Sequence, residues 1–412
     1  MSKILQLLRP RVVFVLLGVV VSTAAILFGW SYRTTNELLR LGEEKLAARE
    51  YAKARDYLER YLSARPGDAR ARLLAARAAR RSKAYYEARE HLERCRKGGG
   101  DAEAVEIEET LIDVQRGDER PVEGLRRRAE RDDDLALVIL EVLIQHDLDT
   151  YQLWRALGEL TRYLESRPDD LQALLGRAYV WERFLYFKDA LEDYRRAVAA
   201  HPDDQTARLR LADTSLAVGT PAEAMTQYEW LESKSPGRAE VRLGLARCRL
   251  RLGETDEARR LLDVLLTESP DYGEALWERG QMALEEGQPA DAEGWLRRAV
   301  RILPHDRRVN HALYRCLIDL NRRPEAEAVN ERVAKIDADL RRLDQVRQEV
   351  MKKPGDAALR CEGGLLFLSN GERAEGIRWL RLALRIDPNC QSARELLHAA
   401  GLGPAGPEVS QK

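Results

Sequence analysis

The chain has 412 residues, with 68 basic and 69 acidic side chains and a formal net charge of -1. A third of the residues are charged (33%) and only 6% are aromatic, which argues against one large globular core and, with the charges balanced, against nucleic acid as a partner. The five cysteines, Cys95, Cys248, Cys316, Cys361 and Cys390, are odd in number and form no C-x-x-C pair, so neither a zinc site nor a full disulfide framework is expected.

Residues 1–11 carry Lys3, Arg9 and Arg11, and no charge follows from Val12 to Tyr32. An apolar run of about 20 residues is long enough to cross the hydrocarbon core, and Trp30 and Tyr32 fall where an interfacial aromatic belt belongs. Residues 12–32 therefore read as a single-pass transmembrane anchor. Ser22 and Ala24 offer the rival reading of a cleaved signal peptide; a cut there leaves Ile26 to Trp30 as an exposed apolar end, which favours retention. The basic residues ahead of the segment place residues 1–11 in the cytoplasm and the repeats on the periplasmic, exoplasmic side of a bacterial inner membrane, although Arg33, Arg40 and Lys45 follow it. The bacterial assignment comes from the predominance of Arg among the basic residues.

Beyond the anchor the chain is periodic. Ala190, Ala224, Ala258 and Ala292 stand 34 residues apart, and so do Pro202, Pro236, Pro270 and Pro304. A third series, Ala178, Ala212, Ala246 and Gly280, keeps the same step. The frame holds over 35–340 as nine units. The first has Gly42, Ala54 and Pro66, the second Ala76, Ala88 and Gly100, and the fourth Ala156 and Pro168; the third, 103–136, is degenerate, with Thr110 and Val122 at the small-residue places. Each unit predicts two antiparallel helices whose backbones approach at the small residues. Gly219, Gly253, Gly287, Asn321 and Gly371 suit a left-handed turn between them. Pro221 and Pro289 open second helices, and Asp68, Asp170, Asp204, Asp306 and Asp356 cap the helix that follows.

The ninth unit departs from the frame. Its second helix is expected to run through 341–356 as far as Lys352, stopped by Pro354. A tenth unit over 357–390 follows with Gly364, Gly376, Ala383 and Pro388, then a capping helix over 391–400 and a disordered tail over 401–412. On the long helix Val329, Val333, Ile336, Leu340 and Leu343 alternate steps of four and three, the spacing of a coiled-coil seam. That seam either packs on its own solenoid, or it docks a partner or a second copy, the latter as a homodimer through 329–343.

A 34-residue helix–turn–helix with these small residues and a closing proline resembles the tetratricopeptide repeat over about Thr35 to Cys390. The resemblance implies an all-α fold, a right-handed α-solenoid of about ten 34-residue units preceded here by one transmembrane helix. It further implies that first helices line a concave groove that binds proteins or peptide segments. On the matching helices, Tyr179, Arg183, Asp213, Arg247, Arg251, Trp277, Gln281, Glu285, His311 and Arg315 are then the groove residues. Arg70, Arg77, Arg80 and Arg81 make a candidate basic patch in the second unit. Leu39 and Glu43 occupy places where members that grip a chain-terminal carboxylate carry other residues, so that mode of binding is not expected.

No H-E-x-x-H, G-x-S-x-G, Walker loop or G-x-G-x-x-G occurs. Asp132, Asp133 and Asp134 read as a cap-rich turn, and the six histidines fall at no metal-ligand spacing. The expectation is a non-catalytic scaffold at the cell envelope, without metal or cofactor, serving assembly, export or quality control. The alternative is a module that binds or helps export polysaccharide, with Trp277 and Tyr179 stacking on sugars.

Overall fold

The computed structural model describes residues 33–401 apart from Thr34 and Asp132. Among these residues there are 21 helices and no strand. In the order of the repeat frame they are α1 (35–47) and α2 (Tyr51–Ala64), α3 (Ala69–Arg81) packed on α4 (Tyr85–Lys97), and α5 (Ala102–Gln115) followed by the short α6 (Val122–Arg128). Next come α7 (Asp134–Asp149) with α8 (Leu153–Ser166), α9 (Leu171–Arg183) with α10 (Phe187–Ala200), and α11 (Gln205–Val218) with α12 (Pro221–Lys234). They are followed by α13 (Ala239–Arg251) with α14 (Thr255–Glu268), α15 (Gly273–Glu285) with α16 (Pro289–Ile302), and α17 (Arg307–Asp319) with the long α18 (Arg323–Lys352). The last pair is α19 (Ala357–Ser369) with α20 (Arg373–Ile386), and α21 (Gln391–Ala399) caps it. The chain divides into two compact units, one ending at Val142 and the other beginning at Leu143. The anchor segment 12–32 lies outside the described residues; among the described ones, no helix is long and apolar enough to cross a membrane.

Local chemistry sets each repeat. The carboxylates of Asp68, Asp170, Asp204, Asp306 and Asp356 accept from the backbone N–H three residues on, at 3.0, 2.9, 2.7, 3.2 and 3.0 Å, so each cap satisfies a donor that has no partner within its helix. Asp133 does the same for Leu135 and Ala136. The turn within each repeat carries one left-handed residue. Gly219, Gly253, Gly287, Asn321 and Gly371 take this place, and in other repeats so do Arg49, Lys83, Gly117, Tyr151 and Leu185. The small residues serve close packing. A Cβ added to Gly280 would lie 2.6 Å from Leu296 of the paired helix, nearer than atoms can approach without a shift.

Among the described residues the apolar core is distributed along the stack. Buried clusters bridge neighbouring repeats, such as Ala54, Leu58, Ala71 and Ala75 between the first and second, and Leu243, Ala246, Leu262 and Leu276 between the seventh and eighth. Stability is therefore a sum of repeat and interface contributions. The first helices of successive repeats touch, α3 with α5, α11 with α13 and α15 with α17; among the described residues no pair of second helices does so to the same extent. In each unit this difference turns the first helices toward the concave side.

The candidate basic patch is corrected by the structure. Arg80 is buried with Glu108 (each 1% exposed) and donates to it at 2.7 Å, as Arg77 does at the other carboxylate oxygen. Arg81 pairs with Glu141, and Arg70 with Glu43 at 2.7 Å. All four guanidinium groups are thus neutralised within the first unit, and Arg80 is out of reach of any ligand. Burial alone would raise the Glu108 pKa, but Arg80 and Arg77 hold it below the usual carboxylate range.

His91 belongs to the same unit. Arg72 Nη1 lies 3.3 Å from its Nδ1 and Glu59 lies 2.8 Å from its Nε2. A guanidinium only donates, so Nδ1 accepts and the ring proton sits on Nε2, facing Glu59. Burial pushes the imidazole pKa down, Glu59 pulls it up and Arg72 pushes it down, with a net lowering. The folded value is below the unfolded one of about 6.5, so this stability is present above that pH and is lost as the pH falls from it toward the folded pKa. Urea unfolding of the first unit is expected to shift to lower urea between pH 7.5 and pH 5.5, and His91→Gln should flatten that shift.

Candidate functional site

The ten groove candidates all stand on first helices of the fifth to ninth repeats: Tyr179 and Arg183 on α9, Asp213 on α11, Arg247 and Arg251 on α13, Trp277, Gln281 and Glu285 on α15, and His311 and Arg315 on α17. Tyr179, Asp213, Arg247, Gln281 and Arg315 form one row at single-repeat steps, because a period of 34 returns each to the same helical place.

Several members of the row already have partners within the chain. Asp213 keeps a solvent-exposed surface and accepts from the Tyr228 hydroxyl at 2.6 Å. The protein packed around its carboxyl raises the pKa, against the pull of Tyr228 and of the Arg210 and Arg247 charges. A group that is exposed and yet desolvated fits a concave wall. Arg247 Nε donates to Glu278 at 2.5 Å. The Trp277 ring carries the Arg308 guanidinium 4.9 Å from its centroid, and the Tyr179 ring carries that of Arg183 at 5.1 Å. One face of each aromatic is thus occupied, which weakens both as platforms for sugars. Glu278, Tyr228 and Arg308 were not singled out from the sequence. The signal available for Glu278 was its place 31 residues after Arg247, an opposite charge nearly one repeat on.

Other capacity on this face is open. Arg251, Glu285 and Arg315 are exposed. Arg247 Nη2, Trp277 Nε1 and Gln281 Oε1 are buried without a hydrogen-bond partner. A buried polar atom left unpaired costs about 1–3 kcal/mol, and here two donors and one acceptor of this kind lie on the adjacent first helices α13 and α15.

At the far end of the second unit the chain closes on itself. The Arg360 side chain, buried on α19, donates to the Thr150 carbonyl at 2.7 Å, and Arg378 of α20 donates to the Leu148 carbonyl. The Tyr151 ring stands edge-on to Trp379 at 5.2 Å, and Trp379 packs against Phe367 at 5.4 Å. A Cβ on Gly363 would lie 2.4 Å from the Trp379 ring, so that glycine gives the indole its seat. Burial raises the Tyr151 pKa, while the charges of Arg347, Arg183 and Glu375 also act on its hydroxyl. Arg183 is exposed and Tyr179 half-buried, near enough to the closure for their charges to act on Tyr151.

The long helix supports the same closure. Val329, Val333, Ile336 and Leu343 of the seam are buried within the single chain, as are Val346 and Val350 further along, and Leu340 is half-buried. The seam is spent on the chain's own repeats. The apolar stripe proposed for a homodimer through 329–343 is accordingly not on the surface.

An aromatic surface that the sequence reading passed over lies between α8 and α9. Trp154, which is 56% exposed, stacks on Phe184 at 4.1 Å, and Trp181 meets Tyr186 edge-on. Trp154 and Trp181 line an open trough with Gly158, Thr161, Arg162 and Glu165. Leu185 stands beside these rings in sequence, 73% exposed and left-handed at φ 63°, a conformation that costs a non-glycine residue about 1–2 kcal/mol.

Sequence comparison adds the family. Two profiles, each described as "Tetratricopeptide repeat", match residues 215–278 and 283–349 and residues 39–102 and 187–239, more than half of the chain together. No curated protein matches it. Similar solved structures include a tetratricopeptide repeat protein from Parabacteroides merdae ATCC 43184, with 15% identity over 69% of this chain and 99% of that one and a TM-score of 0.36. PilW, a widely conserved type IV pilus biogenesis factor, has 16% identity over 65% of this chain and 100% of its own, with a TM-score of 0.35. MamA 41-end from Desulfovibrio magneticus RS-1 has 13% identity over 40% and 94%, with a TM-score of 0.38.

Proposed function

The chain belongs to the tetratricopeptide repeat family, and on that premise we propose that it is a non-catalytic scaffold, held at a bacterial inner membrane by residues 12–32. Its repeats face the periplasm and its concave groove grips a segment of a partner protein. Repeats of this family generally mediate protein–protein interaction. The observation that carries the reading here is the inner row from Asp213 to Arg315. It offers a carboxylate, two guanidinium groups and an amide at one-repeat steps, with unpaired polar atoms at Arg247, Trp277 and Gln281. Main-chain N–H and C=O groups of an extended segment match that mixture of donors and acceptors once these side chains turn toward it. The anchor rests on the uncharged run from Val12 to Tyr32 and the orientation on the basic residues ahead of it.

A second reading, a glycan-binding module, is favoured by one observation away from the groove. In the trough, Trp154 presents a ring braced by Phe184, beside Arg162 as donor and Glu165 as acceptor. Vicinal hydroxyls can both accept from the one and donate to the other.

One experiment separates the two: crosslinked capture from native membranes with the full chain. We expect the chain to sediment with membranes and to capture a protein. Trp277→Ala with Arg247→Glu should abolish capture at unchanged helical circular dichroism, while Trp154→Ala leaves it intact. Loss through Trp154→Ala alone, reversed by digesting polysaccharide, would instead support the glycan reading. Capture that survives the groove variant removes the groove assignment.

A further inference from the structure

The five cysteines are all free thiols, and four of them are buried. Two share one apolar cluster although they are 29 residues apart in sequence. Cys361 lies on α19, buried in the cluster formed by Leu380, Ala383, Ala393 and Leu397, and Cys390 packs against that same cluster from the N-cap of α21. The helices α19 and α21 are in direct contact, so both thiols stand at one helix–helix seam against the same apolar cluster. Cys95 and Cys316 instead face backbone carbonyls, those of Ala69 and Pro289 at 3.2 Å each.

We propose that Cys361 and Cys390 are a redox-active dithiol that closes to a disulfide under oxidising conditions and locks the capping helix onto the tenth repeat. Cys390 is only half-buried, so it is the thiol an oxidant can reach. The oxidant is a second disulfide, of the class of oxidised glutathione or a dithiol oxidase. The Cys390 thiolate attacks one sulfur of that disulfide and releases the other as a thiolate. Cys361 then gives up its proton, and its thiolate displaces the second thiolate from the mixed disulfide. Two thiols of the protein are oxidised to one disulfide, and the oxidant is reduced to two thiols. Burial pushes the Cys361 thiol up to about 11, so the second step is the slow one at neutral pH and quickens as pH rises.

The bond has a consequence for the fold. The tenth repeat carries Trp379, Arg360 and Arg378, which close the second unit onto Leu148 to Tyr151. A terminal repeat of a solenoid has a neighbour on one side only and opens first. Tying α21 to α19 removes that loose end and so holds the closure shut. The proposal needs an oxidising surrounding in the cell, which the periplasmic placement supplies, but the chemistry is testable apart from it.

The test treats the purified full chain with oxidised glutathione at pH 8 and maps its thiols by mass spectrometry. The expected product is lighter by two hydrogens, with Cys361 and Cys390 in one linked peptide pair and Cys95, Cys248 and Cys316 still free. Amide exchange in α21 should slow on the order of 100-fold on oxidation, and Cys390→Ser should abolish that slowing at unchanged exchange in the reduced state. A glutathione adduct that persists on Cys390, or five thiols that all remain free, overturns the dithiol. If the bond forms in the tube but thiols trapped in intact cells are reduced, the dithiol stands and the periplasmic placement fails.

Discussion

Trp379→Ala is expected to open the second unit. The indole is fully buried, with Gly363 beneath it, Phe367 at 5.4 Å and Tyr151 at 5.2 Å. Truncating a buried aromatic of this size costs about 3–5 kcal/mol. Losses in a solenoid are felt by the affected repeat and its neighbours, so the tenth repeat should give way before the regular block. Arg360 and Arg378 then lose the carbonyls of Thr150 and Leu148. The measurement is the separation of dyes at Asp149 and Arg381, together with amide exchange. The dyes should move apart and α19 to α21 should lose protection, while α11 to α16 keep theirs. Tyr151→Gly sharpens the test. It relieves a left-handed non-glycine backbone at φ 59°, worth about 1–2 kcal/mol, yet it removes the ring that Trp379 holds. Opening on both substitutions points to the aromatic contact; an unchanged dye separation in both would mean that the contact does not hold the unit closed.

Glu108→Gln should unfold the first unit at much lower denaturant. The substitution keeps the shape of the side chain and removes the charge that two guanidinium groups share at 2.7 Å. Arg80, 1% exposed, is then a buried cation without its counterion, and breaking a buried pair in this way costs about 3–5 kcal/mol. Replacing both Arg80 and Glu108 with Leu should recover most of the loss, because an apolar pair of similar volume needs no counter-charge; Arg77 is near enough to the surface to turn to water. Urea titration of the single and double variants checks both statements. Equal loss in the two would place the cost in packing and not in the unpaired charge.

The period and its chemistry were legible because each repeat needs the same few things at the same places. Aspartates that cap and small residues where helices cross are local requirements, and through Asp306 they recur at whole multiples of 34 residues. The left-handed turn was legible only where glycine or asparagine marked it. Arg49, Lys83, Tyr151 and Leu185 occupy the same register with positive φ, and a rule that looks for glycine passes over them. Two of these, Tyr151 and Leu185, lie at the closure and beside the aromatic trough, where the fold bears local strain and something other than turn propensity decides the residue. The basic patch misled because charge was read along one helix. Its carboxylates, Glu108 and Glu141, lie in the stretch read as the degenerate third repeat and just beyond it. The closure had no sequence signal at all. Its hydrogen bonds join residues 210 and 230 apart, and no period connects them.

The central claim is that the concave row from Asp213 to Arg315 holds a segment of a partner protein. It is tested most directly by placing a photo-crosslinking residue at Gln281 and at Arg315 on the inner face, and at Ala290 on the second helix α16, in cells that carry the full chain. One and the same protein adduct is expected from Gln281 and Arg315, none from Ala290, and loss of that adduct with Trp277→Ala and Arg247→Glu. Adducts of equal yield from Ala290, or none from the two inner positions, would contradict it.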